Sequence, residues 1–190
     1  MNRVLITQRI NKDKYGEYYD YLESNYIKFF NSFNIDPILL PNNIKDVIEF
    51  YKQNKCNKII LTGGDDIFEL SSSKNNKEEF FKRDKNERQL ITYAVDQKVP
   101  MFCICRGFQL VNLVLGGQLT KNIINKDVRS HKVVINKGYS NITDDKITVN
   151  SFHNHGIKND QLSSELSAFG YSEDLKYIEL YEHKDLPIIG

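Results

Sequence analysis

Pro100-Met-Phe-Cys-Ile-Cys105-Arg-Gly107-Phe-Gln109-Leu-Val-Asn-Leu-Val-Leu-Gly-Gly117 is the stretch whose reading decides the fold. Its apolar run up to Cys105 reads as a buried strand, and the periodic run from Phe108 to Leu115 reads as a short helix. Between them stands a thiol, with a small residue two positions before it (Cys103) and a glycine two positions after (Gly107). This is the spacing of a nucleophile elbow, with sulfur in place of the serine oxygen and cysteine in place of the first glycine. A sharp strand-to-helix turn needs small neighbours because strand and helix pack closely on either side. A thiolate at the start of a helix gains from the macrodipole, so the expected pKa lies below that of a free cysteine. Cys105 is the expected nucleophile.

The other reading of a cysteine in an apolar strand is an inert core residue, which suits Cys103. A metal shell built from Cys103, Cys105 and the histidines of Phe152-His-Asn-His155 is a further alternative. The nucleophile position leaves little reason to fill that face with closed coordination, so neither a metal nor a cofactor is expected.

The chain has 190 residues, long enough for one α/β domain with a two-sided core. It is 40% hydrophobic and 27% charged, a globular balance. A net charge of +1 gives no reason to expect DNA, RNA or an anionic membrane as the main partner. No apolar run approaches the length of a membrane span. The start, Met1-Asn-Arg-Val-Leu-Ile-Thr-Gln, has no signal-peptide layout. Three cysteines, one of them in a nucleophile context, fit a reducing cytoplasm better than a disulfide framework. The oligomeric state is left open.

Around the elbow, Val4 to Gln8 reads as a first strand. Tyr15 to Phe33 has aromatic residues at helical spacing and is expected to be a helix packed on the sheet. Pro37 to Leu40 and Lys58 to Thr62 read as strands, Ile44 to Tyr51 as a helix between them. A polar loop through Ser71 to Asn76 leads to a long helix, about Glu78 to Gln97. This alternation argues a parallel sheet covered on both faces. In the second half His131 to Ile135, Lys146 to Asn150, Leu166 to Phe169 and Tyr177 to Tyr181 read as further strands, with a turn at Asn136-Lys-Gly138. No repeat or linker interrupts residues 1–190, which are expected to form a single domain.

In open α/β sheets ligands bind outside the carboxyl ends of the strands. Two such ends carry special residues, Thr62-Gly-Gly-Asp-Asp66 and Cys105-Arg-Gly107. Glycines let backbone amides approach a ligand closely. The N–H groups of Gly64 and Arg106 are the expected oxyanion hole for a tetrahedral intermediate.

Together these residues resemble the class I glutamine amidotransferase-like family, and within it the free-standing γ-glutamyl hydrolases. Leu61-Thr-Gly-Gly-Asp-Asp66 looks like the oxyanion-strand turn, and Lys82-Arg-Asp84 with Glu87 like the Arg-Asp-x-x-Glu start of the helix before the elbow. Cys105-Arg-Gly-Phe-Gln109 with Leu115-Gly-Gly117 looks like the elbow itself. Val149-Asn-Ser-Phe-His-Asn-His155 resembles the block near the glutamyl pocket. The resemblance implies a flavodoxin-like three-layer α/β sandwich, its central sheet mostly parallel with extra antiparallel strands in the C-terminal half. It also implies a Cys-His-Glu triad without metal. Gln109 and the backbone around Ser151, Phe152 and His153 would hold the glutamyl group.

The chain departs from the family pattern at one place. In the family, the strand matching Pro187-Ile-Ile-Gly190 runs on into a His-Pro-Glu stretch that supplies the general base and its orienting carboxylate. That stretch is absent from these 190 residues, and the expectation is that a tail carrying it follows. Among family members the chain as a whole looks most like those that hydrolyse γ-glutamyl-CDP-amidate in capsular phosphoramidate synthesis. This implies a nucleotide-linked small-molecule substrate, release of L-glutamate and cytidine diphosphoramidate, and Arg9, Lys14, Arg106 and Arg129 as candidate phosphate contacts. Each of these four also reads as a solvated surface cation. The alternatives are a γ-glutamyl-polyamine-type hydrolase, a glutaminase subunit of an amidotransferase, and a non-catalytic γ-glutamyl-binding relative.

Overall fold

Alternate residues of the first strand go to opposite faces of the sheet, and the molecule has a helical layer for each. The computed structural model describes residues 2–64, 66–68, 70, 77–121, 123, 130–136 and 145–190. Strands β1 (Arg3–Thr7), β4 (Asp36–Leu40), β5 (Lys58–Leu61), β6 (Met101–Cys103) and β11 (Ile188–Ile189) form the parallel half of a nine-stranded sheet. Strands β7 (Ser130–Ile135), β8 (Lys146–Asn150), β9 (Leu166–Ser172) and β10 (Ile178–His183) form the antiparallel half. The order across the sheet is β4-β1-β5-β6-β11-β10-β9-β7-β8.

Val4, Ile6 and Ile60 face Phe30 of α1 (Ser24–Ser32). Leu5, Ile59 and Leu61 belong to the larger core on the other side. That core includes α2 (Val47–Gln53), α3 (Lys77–Gln97) and α4 (Arg106–Val114). The result is the three-layer α/β sandwich that the family resemblance implied. Helix α2 starts at Val47, three residues later than its periodicity suggests, because the Asp46 carboxylate accepts the N–H groups of Ile48 and Glu49. The two sheet halves are tied across the elbow helix, where the Tyr181 hydroxyl donates to the Phe108 carbonyl at 2.7 Å and the two rings stack.

One expected element is corrected. Tyr15 to Phe33 is not a single helix: β2 (Arg9–Lys12) and β3 (Tyr18–Tyr21) form an antiparallel hairpin, and α1 begins only at Ser24. Gly16, at φ +94°, makes the turn between them. The aromatic stripe therefore divides. Tyr26 and Phe30 pack against the sheet, whereas Tyr15, Tyr18, Tyr19, Phe29 and Phe33 are exposed. The loop at Ser71 to Asn76, the turn after Asn136, Asp65 and Arg129 lie outside the described residues.

Candidate active site

The turn at Cys105 is held open by its own backbone. Its φ of 50° and ψ of −97° are rarely adopted by a residue with a side chain, and such strain gathers at functional positions. Three hydrogen bonds impose it: the Ile104 N–H to the Leu61 carbonyl at 2.9 Å, the Gly107 N–H to the Ile104 carbonyl at 2.9 Å, and the Gln109 N–H to the Cys105 carbonyl at 3.0 Å. The Cys105 side chain is consequently exposed while Cys56 and Cys103 are buried.

The thiol lines a cavity of about 310 Å³ with Gly63, Gly64, Arg9, Glu23, Tyr26, Ile104, Asn150, Phe152 and His153. Gln109 lines an adjoining cavity of about 240 Å³, which Cys105, His153 and His155 also border. Ser151 lines neither of these cavities. The Gln109 side chain is nearly buried and donates to the His155 carbonyl at 2.9 Å.

The expected depression of the thiol pKa is corrected. Burial of the would-be thiolate against the surrounding protein pushes the Cys105 thiol up from its ordinary value, although the residue is open to solvent on one side. The Arg106 N–H hydrogen bond to the sulfur and the charges of Arg9, Arg106 and Arg83 pull the other way, and desolvation outweighs them.

Arg106 is also corrected, as neither a surface cation nor a phosphate contact. Its guanidinium is buried and paired with the Glu87 and Asp84 carboxylates of α3. Only its backbone N–H faces the sulfur. Arg9 does reach the cavity. It pairs with Glu23 at 2.5 Å and lies over the Tyr21 ring at 5.3 Å.

Tyr26 belongs to the site although its sequence position pointed only to packing. Its hydroxyl accepts the Gly63 N–H at 3.3 Å, which leaves the phenolic proton to be donated. A Cβ built on Gly63 would lie 3.5 Å from the Cys105 Cβ and 3.7 Å from this hydroxyl, so one point brackets thiol and phenol.

Of the four histidines, His153 stands in the cavity with Cys105. Its Nδ1 lies 2.9 Å from the His155 carbonyl, which can only accept, so Nδ1 carries a hydrogen. His155 is buried with Nε2 3.3 Å from Asp66. His131 faces Glu179 at 3.3 Å. The His183 Nδ1 accepts the N–H groups of Asp185 and Leu186, a turn-stabilising role away from the thiol. Among the described residues no group of three or more His, Cys, Asp or Glu side chains is placed to hold a metal ion. Burial pushes the Cys103 thiol far up, which marks it as a core group.

Residues 4–190 match the peptidase C26 family. The chain belongs to that family, and with it to the class I glutamine amidotransferase-like proteins. It is therefore a hydrolase of amide C–N bonds. It is 31% identical over 189 residues to the γ-glutamyl-CDP-amidate hydrolase of Campylobacter jejuni, an alignment covering 97% of this chain and 85% of that protein. A glutamine amidotransferase from Thermotoga maritima superposes with a TM-score of 0.68 at 18% identity, covering 100% of this chain and 74% of that one. The glutaminase domain of Trypanosoma brucei CTPS with bound acivicin superposes with a TM-score of 0.66 at 12% identity, covering 99% and 83%. Among the described residues no helix is long and apolar enough to cross a membrane.

Proposed function

We propose that the chain is a cysteine-dependent γ-glutamyl amide hydrolase that releases L-glutamate through a thioester, acting in the cytoplasm on γ-glutamyl-CDP-amidate. The observation that carries the cysteine reading is the placement of Cys105 on a strained elbow, in one cavity with the Gly63-Gly64 turn and with the Arg106 N–H on its sulfur. The similarity to the C. jejuni enzyme supports the substrate.

In this mechanism a base takes the Cys105 proton, and the sulfur bonds to the γ-carbonyl carbon. The carbonyl electron pair moves onto oxygen, where the N–H groups of Gly64 and Arg106 receive it. Collapse breaks the C–N bond as the base returns its proton to the leaving nitrogen. Water then attacks the thioester, freeing glutamate and restoring the thiol. Because burial pushes the Cys105 thiol up, the first step calls on this base. In this reading the base is the histidine of the Cys-His-Glu triad that the family resemblance implies. Gln109, Phe152 and His153 hold the glutamyl end, with Ser151 contributing backbone only.

Among the described residues the candidate diphosphate contacts are Arg9, at the cavity wall and paired with Glu23, and Lys14, near the hairpin turn. A second reading, a cationic polyamine leaving group, is favoured by an acidic cavity of about 350 Å³ on the far side of His153, lined by Glu173, Asp174 and Glu179. Lys146 and Lys176 pair with the first two, as Glu23 does with Arg9, so the similarity to the C. jejuni enzyme is what puts the nucleotide reading ahead. The test compares kcat/KM for L-glutamine, a γ-glutamyl polyamine and γ-glutamyl-CDP-amidate at fixed ionic strength. The CDP-amidate is expected to win by several powers of ten, since two or three charge-assisted bonds each contribute roughly 1.5–3 kcal/mol. A faster polyamine conjugate overturns the nucleotide reading.

A further inference from the structure

Two buried arginines meet one buried carboxylate behind the site, and the described chemistry uses none of the three charges. Glu87 is fully enclosed. It accepts the Arg83 Nε at 2.9 Å on Oε1 and Nη1 of Arg106 on Oε2. Arg83 continues towards the oxyanion turn: its Nη2 lies 2.9 Å from the Gly63 carbonyl, 3.1 Å from the Thr62 hydroxyl and 3.3 Å from the Thr62 carbonyl. Arg106 is the first residue of α4 and carries the N–H that meets the sulfur. A Cβ on Gly64 would collide with the Arg83 guanidinium, so the turn sits directly on this arginine.

We infer that Glu87 is a positioning residue that sets the spacing between the two halves of the oxyanion hole, the Gly64 turn after β5 and the Arg106 amide at the elbow. This inference rests on the cysteine reading above. The two halves come from different loops, and their registration needs a part that touches both. The Arg83–Glu87–Arg106 chain is that part. Asp84 extends it, accepting Nη2 of Arg106 on Oδ1 and the Phe68 N–H at 2.8 Å on Oδ2, which fixes the segment just beyond the turn. Despite complete burial the Glu87 carboxyl stays below the usual carboxylate range, because the two guanidinium groups outweigh its desolvation. A neutral side chain there would leave Asp84 as the one carboxylate for two enclosed guanidinium groups, and the loops that carry them would move apart.

The decisive variant is Glu87→Gln, which keeps the shape but offers one acceptor oxygen where two guanidiniums need two. Three quantities are read on wild type and variant: the rate of Cys105 alkylation by iodoacetamide, the Kd of L-glutamate, and the Kd of L-glutamate γ-semialdehyde. The semialdehyde forms a tetrahedral hemithioacetal that needs the oxyanion hole and no general base. Expected is a loss of roughly 10–100-fold in semialdehyde affinity, part of what removal of an oxyanion donor costs, with the other two within about twofold. Unchanged semialdehyde affinity, or a proportional fall of all three quantities, overturns the inference. If Glu87→Gln does not fold, Thr62→Val decides by the same criteria, since it removes the hydroxyl that accepts from Arg83, at the cost of the bond which that hydroxyl donates to the Thr7 carbonyl at 2.9 Å. Equal semialdehyde affinity in Cys105→Ala and wild type would instead sink the cysteine reading, whatever Glu87 does.

Discussion

Gly107 and Leu61 touch with no room for a side chain between them. A Cβ on the glycine would lie 2.5 Å from the Leu61 Cβ and 2.7 Å from the Leu61 carbonyl oxygen. The elbow helix and strand β5 are thus in backbone contact. Gly107→Ala is expected to destabilise the fold by about 1–3 kcal/mol, the usual cost of overpacking, and to lower turnover further by prising the helix from the strand. Urea denaturation and kcat together check this. A stable, fully active variant would show that the elbow tolerates slack.

A diazo- or chloroketone analogue of glutamine is expected to label Cys105 and spare Cys56 and Cys103, which are buried. Peptide mapping reads the site of attachment. Labelling that persists in Cys105→Ala would remove the nucleophile assignment.

The direction of the Cys105 pKa sets the pH dependence of that alkylation. A thiol pushed upward is mostly protonated near neutrality, so the rate should climb as pH rises, with a midpoint above the ordinary value of about 8.5. Arg9→Gln removes a charge that favours the thiolate and should move the midpoint higher still. Iodoacetamide kinetics between pH 6 and 10, as a rough range for a perturbed thiol, measure both. A midpoint below that of free cysteine would restore the helix-dipole expectation.

Tyr26→Phe keeps the ring on the sheet and removes a hydroxyl that accepts from Gly63 and can donate into the cavity. Loss of one such polar contact at a reacting centre is worth roughly tenfold to a hundredfold in kcat, with little change in stability. Steady-state kinetics and a thermal melt check the pair. An unaltered kcat would return Tyr26 to the packing role its spacing suggested.

The elbow was legible in the sequence because its constraint is local. Strand, thiol, glycine and helix follow one another, and each residue type answers to a backbone demand at its own position. The hairpin was not, because Tyr15, Tyr18, Tyr19 and Leu22 satisfy a helical period by coincidence. Gly16 stands within that run where the turn falls, and tyrosine is as much at home on a strand as on an amphipathic helix. Arg106 was misread for a different reason. Its partners Asp84 and Glu87 precede it by 22 and 19 residues and were quoted only as part of a resemblance. Nothing in spacing shows that two distant carboxylates will close on one guanidinium. The raised Cys105 pKa depends on how much protein surrounds the sulfur, which no motif records.

The hairpin β2–β3 pairs with none of the nine strands of the main sheet. One asparagine fastens its base. Asn42 donates through its backbone N–H and its amide to Asp20, at 2.9 and 2.8 Å, and through the same amide to the Gln8 carbonyl at 3.1 Å. Asn86 of α3 in turn donates to the Asn42 carbonyl at 2.8 Å. The hairpin tip and the turn at Cys105 are thereby carried by separate parts of the fold. A substitution within residues 11–19, none of which lines the two cavities beside Cys105, leaves the backbone contact of Leu61 and Gly107 as it is.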